Sequence, residues 1–273
     1  MARVAAIVVT HNSALVLDHC LTALGRQTLP LRQLIVVDSG SADPSYLSLV
    51  EKFSGSSLLL AENIGFSRSN NLGIQEIRDD IDLLLFVNPD AFLEDECLAR
   101  AVAVMEDNPE LGLLTGRLSG YDIHRDKPTG LLDSTGIFRA WYGRWYDRGQ
   151  GEVDGDNYDQ EEYVPAICGA LMFCRRRALE TITLPGGGFF DPDFFLYKED
   201  IELSLRMQEA GWRLMYHPRL RAWHCRGWQN RRQMDKKLRL LAAGAELMLY
   251  RKHPSPYMGW ALFKYLLVRF LGV

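Results

Sequence analysis

The chain contains no C-x-x-C pair, and its five cysteines (Cys20, Cys97, Cys168, Cys174 and Cys225) are odd in number. This excludes a zinc ribbon and a disulfide framework, and reduced thiols of a cytoplasmic protein are the expected state. There is no basic excess, because the formal net charge is −4. A protein that binds nucleic acid along its whole length is therefore not expected. Both glycine-rich ways of cradling a phosphate are missing. Thr10-His11-Asn12-Ser13 follows the first apolar run in place of G-x-G-x-x-G, and G-x-x-x-x-G-K-[ST] occurs nowhere. Met1–Val9 shows no basic region, long apolar stretch or cleavage site, so no secretion signal is expected there. Internal repeats, low-complexity tracts and linkers are absent as well.

The 273 residues are 47% apolar and 24% charged, enough for a substantial core in one large domain or two small ones. Val4–Val9 reads as a buried strand, and Ser13 offers an N-cap for a helix through Leu24. Strand signals return at Leu34–Val37, Leu58–Leu60, Leu83–Val87 and Leu111–Thr115. Helices are predicted between them: from Asp43-Pro44 to Phe53, over Phe66–Ile77 and over Glu94–Asp107. This alternation predicts an α/β fold with a mostly parallel, Rossmann-like sheet flanked by helices, whose ligands bind beyond the carboxyl ends of the strands. From Gly116 to Tyr163 the rhythm fails, and a substrate-facing insertion is expected. A buried strand over Val164–Cys174, a loop over Thr183–Tyr197, a helix over Glu199–Ala210 and short strands at Trp212–Tyr216 and Ala222–Cys225 complete the domain. The expected division is a domain at 1–226, with a nucleotide-binding half at 1–117 and an acceptor and catalytic half at 118–226, followed by a C-terminal extension at 227–273.

That extension changes the electrostatic character of the chain. Residues 226–273 hold ten Lys/Arg against two acids, a charge of +8 that leaves −12 on the remainder. A basic helix over Asn230–His253 carries Arg231, Arg232, Lys236, Lys237 and Arg239, and Tyr257–Val273 is apolar with Lys264 and Arg269 interspersed. A bilayer span needs about 20 apolar residues. The tail is therefore expected to lie on an anionic membrane surface; the alternative is packing on the domain or on a second subunit of a homodimer.

Without a glycine-rich loop, a diphosphate is most simply neutralised by a divalent cation on oxygen or imidazole ligands at a strand end. Asn88-Pro89-Asp90 follows the strand Leu83–Val87, so the side chains of residues 88 and 90 can enter the same mouth of the sheet, although N-P-D is also a common turn and cap signal.

T-H-N at 10–12, V-V-D-S-G-S at 36–41, E-N-I-G-F-S-R-S-N-N-L-G at 62–73, F-V-N-P-D-A at 86–91, C-G-A-L-M-F at 168–173 and Y-K-E-D-I-E-L-S-L-R at 197–206 stand in one order. Together they resemble the inverting family 2 glycosyltransferases of GT-A fold, and the bacterial rhamnosyltransferase-like branch in particular. The resemblance implies that Thr10, Asn12 and Asp38 hold the base and ribose of a nucleotide-sugar donor, and that Arg68 lies near its diphosphate. Asp38 suits its task because a carboxylate accepts hydrogen bonds from a base N–H or a ribose hydroxyl, and a guanidinium matches phosphate oxygens. Asn88-Pro89-Asp90 departs from the family's D-x-D at its first member, which removes one negative charge and should weaken the hold on Mg²⁺ or Mn²⁺. Asp90 and His224 are the implied metal ligands, and imidazole leans weakly towards Mn²⁺.

By the same resemblance Asp200 is the general base. It begins a predicted helix after Phe189, Phe190, Phe194, Phe195 and Tyr197. Aromatic burial would raise its pKa and the positive helix end would lower it, and the sequence leaves that contest open. Glu199 should face elsewhere, since adjacent helical residues do not share a face. The expected activity is transfer of a sugar, with deoxythymidine-diphosphate-rhamnose favoured as donor, to a saccharide or polyprenyl-linked acceptor in bacterial cell-surface polysaccharide synthesis. The expected location is the cytoplasm, peripheral at the inner face of the cell membrane. The competing readings are a nucleotidyltransferase on a related sheet and a catalytically silent nucleotide-binding scaffold.

Overall fold

The computed structural model describes residues 2–53, 55–225 and 235–271. In chain order its strands are β1 (Val4–Thr10), β2 (Gln33–Ser39), β3 (Ser56–Ala61), β4 (Leu83–Val87), β5 (Ala91–Leu93), β6 (Leu111–Asp122), β7 (Lys127–Ser134), β8 (Ile137–Arg139), β9 (Trp145–Asp147), β10 (Glu162–Tyr163), β11 (Leu171–Arg175) and β12 (Arg213–His224). The helices are α1 (Leu17–Gly25), α2 (Phe66–Gln75), α3 (Cys97–Asp107), α4 (Arg176–Thr181), α5 (Glu199–Glu209), α6 (Lys236–Lys252) and α7 (Met258–Leu271).

Ten strands form one sheet whose main path runs β10-β12-β6-β11-β4-β1-β2-β3, with β5 added to β12 and β7 to β6. The block β4-β1-β2-β3 is parallel throughout, so β1, β2 and β4 end on the same rim, with Val8 level with both Val36 and Val87. β11 then runs antiparallel between β4 and β6, and β12 returns parallel to β6. The fold is α/β with a large mixed sheet whose N-terminal half matches the expected parallel order.

Every residue of β1, β2 and β4 is buried, as strands covered on both faces require. Alternation divides β1 between two cores. Val4, Ala6 and Val8 join Leu17, Leu21, Leu98 and Met105 on the α1 and α3 side. Ile7 and Val9 join Phe86, Phe190, Leu203 and Met207 on the other. Phe190 meets Phe86 edge-on at a centroid distance of 5.0 Å, which anchors the loop before α5 against the sheet.

Several elements differ from expectation. Ser13 does not cap α1 with its side chain: its hydroxyl turns back to the His11 carbonyl, and α1 begins only at Leu17. The second helix is a 3₁₀ turn, Ser45–Lys52, in which Asp43 and Ser48 bond nearby backbone and compete with the α-helical ladder. The stretch from 116 to 163 carries the end of β6, β7, the separate β8–β9 hairpin and β10, joined by turns and loops. Only the end of Val164–Cys174 is strand. The two short strands expected at 212–225 are one, β12, with an irregularity between His217 and Arg221. Gly116 permits that irregularity, since a Cβ there would lie 2.1 Å from the Leu220 carbonyl oxygen.

The tail forms a helical hairpin packed on the domain. Ala243, Ala245, Glu246, Leu249 and Tyr250 of α6 are buried, as are Ala261 and Val268 of α7. Tyr250 donates its hydroxyl to the Gly143 carbonyl, and Lys252 pairs with Asp191 at 2.6 Å and Asp193 at 2.7 Å. Packing on the domain, the alternative to a tail lying free on a membrane, therefore describes one face of these helices. Arg231, Arg232 and the expected 226/227 boundary lie outside the described residues. Among the described residues no helix is long and apolar enough to cross a membrane.

Candidate active site

The carboxyl ends of β1, β2 and β4 each carry expected site residues. Thr10 is fully buried, and its hydroxyl lies 2.9 Å from the Tyr46 hydroxyl. Asp38, also buried, accepts from the Ser41 backbone N–H at 2.9 Å and from the Ser41 hydroxyl. Asn12 adopts a left-handed φ of 52°, takes the Ala42 N–H on its Oδ1 at 2.8 Å, and donates its own N–H to Ser41 Oγ at 2.7 Å. One small network built on Ser41 and Tyr46 thus ties Thr10, Asn12 and Asp38 into a single wall.

A second group gathers after β4. His224, the last residue of β12, is buried with Nδ1 2.7 Å from Asp133 Oδ2 and Nε2 3.2 Å from Asp90 Oδ1. Burial alone would lower its pKa, but the two carboxylates prevail and push it up to about 10. Burial would likewise raise Asp90, yet the neighbouring imidazolium holds it below the usual aspartate value. Asp133 is almost inaccessible whereas Asp90 opens outward, so the row runs from the interior to the cleft. Asn88 is placed beside it by its N–H bond to the Ala170 carbonyl at 3.1 Å, and its Oδ1 is buried without a hydrogen-bond partner.

Asp200 faces the same rim. Its Oδ2 accepts the Gly169 N–H at 3.1 Å, one residue from the carbonyl that holds Asn88, and its Oδ1 accepts the Ile201 N–H at 2.8 Å. The contest that the sequence left open is decided by burial: the Asp200 pKa is raised, although the Gly169 and Ile201 N–H groups and Lys198 oppose the rise. Glu199 is pushed up to about 8 by burial and by the Asp200 charge, and its Oε2 is buried without a partner. The two adjacent acids differ in surroundings: Asp200 is held by two N–H donors, whereas one Glu199 carboxyl oxygen is buried without a partner.

The helix carrying Asp200 begins from an unusual backbone. Tyr197 and Lys198 both have positive φ, 75° and 72°. Such left-handed pairs persist only where the surroundings enforce them. Here Phe194 is buried in the core, and Phe195 bonds through its carbonyl to the Phe66 N–H at 2.8 Å while pressing on Gly65.

Arg68 stands apart from both groups, in the first turn of α2. It is exposed, with Nε 3.4 Å from the Pro192 carbonyl oxygen. Sequence reasoning missed Asp133 and the burial of Glu199. An acid directly after the Leu131-Leu132 pair was the available signal for Asp133, but its partner is ninety-one positions away. A cavity of about 750 Å³ on the α1 and β5 side is lined by none of the expected residues.

Strand-end carboxylates, an orphaned amide oxygen and a carboxylate held by N–H groups on an α/β sheet present acceptors suited to a ligand rich in hydroxyl and N–H donors. Residues 5–183 match the model of Glycosyl transferase family 2, and the chain belongs to that family. It is 23% identical over 239 residues to the N-acetylglucosaminyl-diphospho-decaprenol L-rhamnosyltransferase of Mycobacterium tuberculosis (strain CDC 1551 / Oshkosh), covering 80% of this chain and 74% of the relative. It is 25% identical over 189 residues to Rhamnosyltransferase WbbL of Escherichia coli (strain K12), covering 64% and 66%. Among solved structures it resembles GalNAc-T7 with UDP, GalNAc and Mn²⁺ at TM-score 0.66 and 14% identity, covering 98% of this chain but only 55% of that one. The mannosyltransferase PcManGT of Pyrobaculum calidifontis with GDP-Man and Mn²⁺ follows at TM-score 0.63 and 18% identity, with 98% and 70% covered. The family match makes the chain a glycosyltransferase, the solved structures show its GT-A fold, and its two bacterial relatives are rhamnosyltransferases.

Proposed function

We propose that this glycosyltransferase inverts the anomeric centre as it moves a sugar, rhamnose from deoxythymidine-diphosphate-rhamnose being favoured, to a hydroxyl of a saccharide or polyprenyl-linked acceptor for cell-surface polysaccharide. The observation that carries the reading is the link between Asp200 and the Asp90–His224 pair: Gly169 holds one and its neighbour Ala170 holds the loop bearing the other. The rhamnosyl and polyprenyl preferences rest on the names of the two bacterial relatives.

Thr10, Asn12 and Asp38 would bind the nucleoside, Arg68 the diphosphate, and Asp200 would act as base. The acceptor O–H proton passes to an Asp200 oxygen as the acceptor oxygen bonds to the anomeric carbon. The bond from that carbon to the diphosphate breaks, and its electron pair leaves with the nucleoside diphosphate. A raised pKa strengthens Asp200 as a base, and no covalent enzyme intermediate is needed.

The residues fit a divalent cation, Mg²⁺ or Mn²⁺. Asp90 Oδ1 and His224 Nε2 are close enough to share a guest, and the orphaned Asn88 oxygen adds a neutral ligand. Among the described residues no group of three or more His, Cys, Asp or Glu is arranged to hold a metal alone, so diphosphate oxygens would complete the shell. When bound, the cation neutralises the charge developing on the departing diphosphate. His224 would hold the cation through Nε2 only with that nitrogen unprotonated, and Asp133 at Nδ1 would keep the ring aimed.

The exposed apolar face of α7 supports peripheral attachment to the inner face of the membrane. Transfer assays with purified acceptor, with and without EDTA, test the activity. Absence of nucleotide-sugar consumption with every donor, with or without the cation, would leave the silent-scaffold reading in its place.

A further inference from the structure

We propose that the recess between the β8–β9 hairpin and α7 seats the phosphate of a lipid-linked acceptor, and that the outer face of α7 carries its hydrocarbon chain. This rests on the reading of the protein as a transferase acting on such an acceptor, and adds the site where that acceptor is held.

The recess has a volume of about 280 Å³ and is lined by Tyr142, Arg144, Trp260 and Lys264. Ligand pockets usually run from about 300 to 1,000 Å³, so this one suits a headgroup rather than a whole substrate. The Arg144 guanidinium, the Lys264 ammonium that also pairs with buried Glu246, and two aromatic rings are the chemistry for a phosphate joined to an apolar chain. Trp141, Tyr142, Trp260 and Phe263 continue it as a chain of ring contacts, with successive centroids 5.4, 5.6 and 5.9 Å apart. Trp141 is 86% exposed, an unusual state for the largest side chain unless something covers it.

The apolar surface continues along α7. Leu262, Leu266 and Phe270 recur every four residues, Phe263 and Phe270 lie seven apart, and all are exposed. Ala261 and Val268, seven apart on the opposite side, are the residues packed inward. The hairpin is fixed to this helix rather than merely near it: the Arg139 guanidinium lies 4.9 Å from the Tyr257 ring centroid, and Tyr257 closes over Gly143.

The recess shares charged neighbours with the start of the Asp200 helix. Lys264 pairs with buried Glu246 of α6, and the Glu246 and Lys264 charges both act on Lys198, which precedes the Asp200 helix and also feels the Asp200 charge. A phosphate at Arg144 and Lys264 would hold the first sugars of an attached acceptor on the side of the cleft where Asp200 accepts the proton.

The test uses the full chain, with Arg144→Gln and Trp260→Ala as exposed variants remote from the donor wall. Flotation is compared on phosphatidylcholine vesicles containing a polyprenyl phosphate and on vesicles with phosphatidylglycerol at matched charge. Wild type should favour the polyprenyl phosphate, Arg144→Gln should lose about tenfold of that preference, and Trp260→Ala should weaken binding to both. Equal flotation on the two vesicle types would reduce the patch to a general anionic-membrane contact and overturn the proposal, as would unchanged preference in Arg144→Gln. Thermal shift by deoxythymidine or uridine diphosphate with Mn²⁺ is measured in parallel. Its loss in wild type would count against the transferase reading itself, whereas its retention beside failed flotation would sink only the acceptor site.

Discussion

Replacing Asp133 by Asn removes one of the two carboxylates that enclose His224 while keeping shape and a hydrogen-bond acceptor. In the wild type the imidazole pKa rises from 6.5 to about 10 on folding. At ~1.4 kcal/mol per tenfold, that favours the folded protonated state by roughly 5 kcal/mol. The folded pKa is above the unfolded one, so this stability is fully present below pH 6.5 and is lost as pH rises through about 10. Asp133 and Asp90 share the effect, and losing one should remove about 2 to 4 kcal/mol of it. Urea unfolding of wild type and Asp133→Asn at intervals from pH 6.5 to 10 therefore gives a difference that shrinks by that amount across the window. The desolvation of Asp133 itself adds a constant offset and leaves the slope untouched. A difference that stays flat would refute the reasoning, because it would mean that Asp133 does not act on the His224 charge. If the ring is also released, Mn²⁺ affinity measured by electron paramagnetic resonance should fall about 10- to 100-fold.

Asp200→Asn should abolish transfer while nucleotide diphosphate binding by calorimetry is largely retained; normal turnover would remove Asp200 from the role of base. Glu199→Gln should stabilise the protein at pH 8. The folded pKa near 8 lies above the ordinary 4.5, so the wild-type acid costs stability increasingly above 4.5. The gain should vanish below that pH in thermal scans, and an equal gain at pH 4 would rule out this cause. Gly65→Ala should destabilise by more than about 1 kcal/mol and lower kcat, since φ is +83° and a Cβ would meet Phe195 at 2.6 Å, disturbing the segment that leads into α5. Wild-type melting temperature and activity in that variant would show that the contact is dispensable.

The chain's own order of residues determined the parallel half of the sheet. The strands β1, β2 and β4 are continuous apolar runs ending in polar residues, and only a sheet covered on both faces buries every residue of such runs. The same local pattern placed Thr10, Asp38 and Asn88 at strand ends and Asp200 at a helix start. Tertiary structure alone decided the rest, because it depended on distant neighbours. The 116–163 segment became β-structure through pairing with β6, β12 and its own hairpin, which no local periodicity encodes. Whether burial or the helix end controlled Asp200 depended on how the aromatic loop folded over it. His224 acquired its charge from Asp133 on β7 and Asp90 in the turn after β4, and the tail found its seat through Tyr250 on Gly143 and Lys252 on Asp191. Periodicity is a property of neighbours along the chain, whereas desolvation and Coulomb interaction belong to neighbours in space, and the chemistry of this site is made of the second kind.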